Sequence, residues 1–244
     1  METEGRRIYA VGDVHGCRGE LRELYRRIAA DLAARPHPSP VAVHVGDYVD
    51  RGPDSRGVID DLLRWDLGEV ERVCLLGNHD DLMVKFFEDP DSFWSADHWI
   101  SGGMGGAATL ASYGVDPFGP SREVHRAAKA AVPAAHLAFL TGLPRMHRIG
   151  RYLFVHAGIR PGVPFERQDP EDLIWIRDEF LRDRRDHGAI VVHGHTPVRA
   201  VEVRRNRIGI DTGAVFGGVL SCIVLEGPNL WLLKAAGRAA LPRP

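Results

Sequence analysis

The opening third of the chain repeats one unit three times: a short apolar run, a glycine turn bearing acidic or imidazole side chains, then a helical pattern. Ile8–Val11 ends in Gly12-Asp13-Val14-His15-Gly16, and a helix is predicted over about Glu20–Ala34, with Leu21, Leu24, Tyr25, Ile28 and Leu32 on one face. Val41–Val45 runs into Gly46-Asp47-Tyr48-Val49-Asp50-Arg51-Gly52, and Ser55 stands where it would cap a second helix reaching about Trp65. Val70–Leu76 ends in Gly77-Asn78-His79-Asp80, where Asp80 is placed to cap a helix carrying Leu82, Phe86 and Phe87. Strands alternating with helices predict an α/β layer with a parallel sheet. In such sheets ligands bind beyond the carboxyl ends of the strands, which is where all three turns fall.

The remainder reads differently. From about Pro90 to Arg148, prolines and the pairs Gly102-Gly103 and Gly105-Gly106 break the helical pattern. This stretch is expected to be a helical insert with little apolar surface of its own, inside one domain spanning residues 1–244. Phe93, Trp94 and Trp99 read more readily as pins to the core than as the lining of a substrate groove. Tyr152–Val155 ends in His156-Ala157-Gly158, and Ile190–Val192 in His193-Gly194-His195-Thr196-Pro197. Val198–Val203, Ile208–Ile210, Val219–Leu225 and Leu230–Leu233 are predicted as consecutive antiparallel strands, and the tail from Ala235 to Pro244 is expected to fray.

Two carboxylates and an arginine within five residues of a buried strand end are costly unless compensated. An Asp–Arg ion pair in a tight turn would do this for Asp47, Asp50 and Arg51, and so would a metal ion with a phosphate. The other strand ends favour the second option. Asp13 and His15, Asp47, Asn78, His156 and His195 form a mixed nitrogen and oxygen donor set that suits Mn, Fe or Zn better than Ca. Asp47 is the natural bridge between two ions, which it would hold at roughly 3.5–4 Å with an activated hydroxide available near neutral pH.

Composition narrows the rest. A net charge of -2 gives no support for nucleic-acid or membrane binding. The three cysteines, Cys17, Cys74 and Cys222, are far apart and form neither a disulfide framework nor a zinc site, so a reducing cytoplasm is expected. The acidic N-terminus lacks a signal-peptide pattern, and no apolar run is long enough to cross a bilayer.

Five motifs in order, GDVHG at Gly12–Gly16, GDYVDRG at Gly46–Gly52, GNHD at Gly77–Asp80, HAG at His156–Gly158 and GHT at Gly194–Thr196, carry a resemblance. The chain resembles the phosphoprotein phosphatase branch of the calcineurin-like metallophosphoesterases, of the lambda-phage type. The likeness extends to Ile174-Trp175-Ile176-Arg177 and to the segment from Ile210 to Phe216. It implies a central β-sandwich of mixed sheets flanked by helices. It also implies two divalent ions, Mn foremost with Fe, Zn, Co, Ni or Mg as alternatives. Asp13, His15 and Asp47 would hold one ion, and Asp47, Asn78, His156 and His195 the other. Arg51 and Arg177, with Asn78 and His79, would bind the phosphate. His79 would act as general acid with Asp50 supporting it.

The implied activity is that of a serine/threonine protein phosphatase, a monomer acting on a phosphorylated protein or peptide. The alternative is a nucleotide phosphohydrolase such as a symmetrical dinucleoside tetraphosphate hydrolase. Pro197 stands where phosphodiesterases of the superfamily carry a second histidine, and Asp50 leans the reading towards protein phosphatases. His193 is read as a packing residue or a support for a neighbouring ligand, His44 and His147 as buried or solvated histidines rather than ligands, and Cys17 as a packing residue more readily than an oxidisable one. Asp211 would either orient a ligating histidine or close a turn.

Overall fold

In a computed structural model, which describes residues 2–89, 91, 96–100 and 103–244, the repeated unit is the framework of the fold. It comprises β1 (Arg7–Val11), α1 (Arg18–Ala34), β2 (Pro40–His44), α2 (Ser55–Arg64), β3 (Glu71–Cys74) and α3 (Asn78–Glu88). β1 pairs parallel with β2, and β2 with β3, so their three glycine turns emerge on one edge. The insert follows as a π-helical turn (Ala96–Ile100), α4 (Gly106–Ser112), α5 (Ser121–Ala131) and α6 (Ala134–Thr141). Then come β4 (Met146–Ile149), β5 (Tyr152–Val155), α7 (Pro170–Trp175), α8 (Asp178–Leu181) and β6 (Ile190–His193). The chain closes with β7 (Glu202–Val203), β8 (Arg207–Gly209), β9 (Cys222–Glu226), β10 (Asn229–Lys234) and β11 (Gly237–Ala240).

These strands form two sheets, ordered β11-β10-β9-β1-β2-β3 and β4-β5-β6-β8-β7. Strand alternation sorts their side chains into layers. Ile8, Ala10, Val41 and Val43 of the first sheet meet Tyr152, Phe154, Ile190 and Val192 of the second in one buried cluster. Tyr9, Val11 and Ala42 point the other way, into α1, α2 and α3. Leu153, Val155 and Val191 pack under α7 and α8 with Leu173 and Phe180. The architecture is the expected α/β sandwich of mixed sheets between helical layers. No helix among the described residues is long and apolar enough to cross a membrane.

Four local expectations need correction. Asp54, not Ser55, caps α2: its Oδ1 accepts from Gly57 N at 2.8 Å, while Ser55 Oγ accepts from Asp50 N. Among the late strands β7 and β8, and β9 and β10, pair antiparallel as expected, but β8 and β9 are not neighbours, because β8 lies parallel to β6 in one sheet while β9 crosses to β1 in the other. The insert does bring apolar surface: Trp99, Leu110, Tyr113, Val124 and Leu140 join the cluster under α1–α3. Phe93 and Trp94 lie outside the described residues.

The tail, finally, does not fray: β11 pairs antiparallel with β10. Arg238 is the reason. Its guanidinium donates twice to buried Asp31 on α1, at 2.8 and 2.6 Å, and its carbon lies 4.8 Å from the Trp231 ring centroid.

Candidate active site

The carboxyl ends of β1, β2, β3, β5 and β6 converge, and each delivers a polar side chain. Two groupings share Asp47: its carboxylate lies with ligand atoms of His15 and His79, and again with those of His156 and His195, each group within 4.8 Å. Asn78 completes the second, its Oδ1 lying 2.9 Å from both His156 Nε2 and His195 Nδ1. Asp13, Asp47, Asn78, His79, His156 and their neighbours are buried. The structure brings His15, Asp47, Asn78, His79, His156 and His195 together, while Asp13 stands in neither grouping and meets the second through its Oδ2, which accepts from His195 N at 2.9 Å.

The turns reach this arrangement through unusual backbone. His15, Asp47, Asp50, Arg51 and His195 have φ of 44°, 56°, 74°, 67° and 64°. Left-handed non-glycine residues are held only where surroundings over-determine them, and they cluster at working sites. Asp80 supplies much of that constraint. Its Oδ2 accepts from Asp47 N at 2.8 Å and Gly77 N at 3.0 Å, and its Oδ1 from Tyr48 N at 2.9 Å. Asp80 thus does more than cap α3, because it also shapes the neighbouring turn. Gly77 and Gly194 let the turns approach, since a Cβ on either would collide with the carboxylate of Asp47 or Asp13.

Each imidazole is aimed by a backbone carbonyl or a neighbour. His15 Nδ1 sits 2.8 Å from Val49 O, and His156 Nδ1 3.0 Å from Val45 O, which leaves both Nε2 atoms facing Asp47 Oδ2 at 3.3 and 3.4 Å. Burial pushes His15 down to about 3 and His195 to about 2, so both imidazoles are neutral. Burial also opposes charge on His156, yet the Asp47 carboxylate outweighs it and lifts this imidazole to about 9. Asp47 in turn is held well below the carboxylate range: burial resists, and His156, His79 and His15 prevail.

Asp13 has the opposite problem. Burial, then the charges of Asp211 and Asp47, push it well above the usual carboxylate value, and its Oδ1 is buried with no hydrogen-bond partner. Asp80 is raised to about 7 by burial and by Asp47. Converging buried carboxylates with an orphaned oxygen are short of positive charge. Divalent cations on this oxygen and imidazole donor set would supply it.

Two arginines border the cluster. Arg51 Nη1 lies 2.7 Å from His15 Nε2, and Arg177 Nε donates to His195 Nε2 at 3.0 Å. His79 Nδ1 lies 2.7 Å from Asp50 Oδ2, which commits that nitrogen and leaves Nε2 as the one not held by Asp50. Beside Arg177 runs a groove of about 460 Å³ lined by Lys85, Glu171, Asp172, Trp175 and Glu179.

Other nominated residues fall outside. His193 is buried against Phe180, with its Nδ1 3.1 Å from Gly194 O. His44 meets the Tyr25 hydroxyl at 3.0 Å. Asp211 closes a turn by accepting from Gly213 N at 2.9 Å. Sequence reasoning missed Thr109, whose hydroxyl donates to Asp50 Oδ1 at 2.7 Å, and the hydrogen bond of Trp99 Nε1 to Asp50 Oδ2 at 2.8 Å. No spacing rule links the insert to the second motif, so nothing in the chain order signalled these contacts.

A family model described as calcineurin-like phosphoesterase matches residues 6–218. The chain belongs to that family. Relatives similar to it include the bis(5'-nucleosyl)-tetraphosphatase PrpE [asymmetrical] of Bacillus cereus, 29% identical over 234 residues, which are 86% of this chain and 87% of the relative. A solved structure provisionally described as a diadenosine tetraphosphatase is 26% identical, with a TM-score of 0.65 and 95% of each chain covered. A cold-active protein-tyrosine phosphatase from a psychrophilic Shewanella species shares the fold at 16% identity, with a TM-score of 0.61 over 97% of this chain and 80% of that one. Within the calcineurin-like phosphoesterases, the chain is thus a metallophosphoesterase whose substrate the fold alone leaves open.

Proposed function

We propose that this metallophosphoesterase hydrolyses dinucleoside tetraphosphates by in-line displacement at phosphorus. The observation that carries the chemistry is the double grouping of donors around one buried carboxylate, Asp47, with His79 in the first grouping and Arg51 and Arg177 at the border. Asp13, His15 and Asp47 would hold one divalent ion and Asp47, Asn78, His156 and His195 the other, with manganese the metal assigned. When bound, the ions supply Lewis acidity and an activated water.

The chain's own groups do the rest. Arg51 and Arg177 present planar guanidinium donors to the non-bridging phosphate oxygens, where charge accumulates as the bond to the leaving oxygen breaks. Asn78 and His79 line the same edge. His79, fixed through Nδ1 by Asp50, hands the proton on Nε2 to the leaving oxygen. A positioned acid of this kind is worth roughly 100- to 10,000-fold. The substrate class is supported by the names of relatives spanning most of both chains, against the lean that Asp50 gave towards phosphoproteins.

A second reading, hydrolysis of phosphoserine or phosphothreonine in a peptide, is favoured by the buried Asp50–His79 pair. Serine alkoxide is a strong base that needs a proton to leave, whereas a nucleotide phosphate is a weak one. The three free, buried cysteines suit a reducing cytoplasm, and a monomer is part of the proposal.

The deciding experiment compares kcat/KM on diadenosine tetraphosphate with that on phosphoserine, phosphothreonine and phosphotyrosine peptides at one manganese concentration. The expected result is preference for the tetraphosphate, giving ATP and AMP as for the asymmetrical relatives. Two ADP would instead mark symmetrical cleavage, and preference for the peptides would replace the first reading with the second.

A further inference from the structure

We infer that Thr109 and Trp99, both from the insert, are positioning residues that lock the Asp50 carboxylate in the one orientation that aims His79. The inference rests on the reading of His79 as the proton donor. Three side-chain donors converge on Asp50, which is wholly buried. The Thr109 hydroxyl donates to Oδ1 at 2.7 Å, while Trp99 Nε1 donates at 2.8 Å to Oδ2, the oxygen that also meets His79 Nδ1 at 2.7 Å.

The hydroxyl's proton count closes. Its single hydrogen goes to Asp50 Oδ1, and its lone pairs receive Asp50 N–H at 2.8 Å and the Ser55 hydroxyl at 3.0 Å. With both oxygens held, the carboxylate cannot turn about its terminal torsion, which is otherwise broad. If Thr109 and Trp99 were removed, the plane could rotate and carry Oδ2 away from the imidazole.

The insert also holds the backbone from which Asp50 projects. Asp50 and Arg51 are consecutive left-handed residues, a conformation that persists only when its surroundings enforce it. Arg51 N donates to Gly105 O at 3.2 Å, and Asp50 N is shared between Ser55 and Thr109. Trp99, Gly105 and Thr109 are therefore a wall of the active site. A chain that kept all five motifs but lost this wall would keep its donors and lose the aim of its acid.

The test uses full-length protein and two probes of similar size, phenyl phosphate with a poor leaving group and para-nitrophenyl phosphate with a good one. Thr109→Val removes the hydroxyl, Thr109→Ser restores it, and Trp99→Phe removes the indole N–H. Loss of aim should slow phenyl phosphate roughly 10- to 100-fold, a fraction of what a positioned acid supplies, and para-nitrophenyl phosphate far less. Thr109→Ser should recover most of the loss. In a His79→Asn background neither Thr109→Val nor Trp99→Phe should add to the defect.

A second readout needs no metal and no turnover. The hydrogen-bonded Nδ1 proton of His79 in chelated protein should give a downfield imidazole resonance that is absent from His79→Asn and shifted or broadened in Thr109→Val. If His79→Asn slows both esters equally, the proton-donor reading fails. If His79→Asn is selective while the Thr109 and Trp99 variants slow both esters alike, or leave both rates and the resonance unchanged, this inference alone is overturned.

Discussion

Replacing Asp80 by Asn probes how the second motif is held without touching a nominated ligand. The carboxylate is fully buried and accepts from four backbone N–H groups: Asp47 and Gly77 on Oδ2 at 2.8 and 3.0 Å, and Tyr48 and Val49 on Oδ1 at 2.9 and 3.4 Å. An amide of the same shape must turn its NH2 towards at least one of them. Turned towards Tyr48 it leaves the N–H groups of Tyr48 and Val49 unpaired, and turned the other way those of Asp47 and Gly77.

One hydrogen bond to a charged group is worth about 1.5–3 kcal/mol, and the surviving bonds lose their charge assistance, so the gross cost is about 3–4 kcal/mol. Without metal part of this is returned, because burial and the neighbouring Asp47 already disfavour the Asp80 charge. The chelated variant should lose about 2 kcal/mol and the manganese-loaded one about 3–4, and the difference weakens manganese binding roughly tenfold. Urea unfolding of both forms, followed by circular dichroism, gives the two numbers. Stability and manganese affinity both matching the wild type, within about 0.5 kcal/mol, would refute the claim that Asp80 shapes the Asp47 turn.

Other substitutions separate the parts. Arg177→Ala should lower kcat/KM by roughly 10- to 1,000-fold while leaving manganese binding intact, since it removes a donor of the kind that stabilises charge in the transition state. Equilibrium dialysis beside steady-state kinetics shows both. Arg238→Met should cost about 3 kcal/mol in urea unfolding, because it removes two charge-assisted hydrogen bonds from buried Asp31, which keeps only the Tyr9 hydroxyl and Arg35, and releases β11. Burial disfavours the Asp31 charge, but Arg238 and Tyr9 outweigh it and hold its folded value below the ordinary one. That stabilisation is present above about pH 4 and fades as pH falls through the lowered value, so the gap between wild type and Arg238→Met should narrow in acid. Manganese binding should strengthen as pH rises towards about 9, where His156 gives up its proton, and then level off; proton release measured by calorimetry in several buffers reports this.

What was legible in the sequence follows from chain order. Residues such as Asp13, Asp47 and Asn78 sit directly after apolar strands, so a local pattern fixed their place at one sheet edge. The parallel pairing of β1, β2 and β3 follows from the same alternation. Contacts that depend on distant partners left no such trace. Asp80 looks like a helix cap until Tyr48 N and Asp47 N are seen on the same carboxylate. The Ala-, Gly- and Pro-rich tail looks unstructured until Arg238 reaches Asp31. The glycine-broken stretch that carries Trp99 and Thr109 has no strand-end or spacing pattern tied to the second motif, so nothing announced that they fold back onto Asp50.

The most direct test of the account is a titration of chelated protein with manganese, followed by isothermal calorimetry and by turnover of diadenosine tetraphosphate. Two ions per chain in the wild type, with turnover appearing only as both bind and with both ions lost in Asp47→Asn, is the predicted result. Turnover by chelated protein, or two ions still bound by Asp47→Asn, would contradict it.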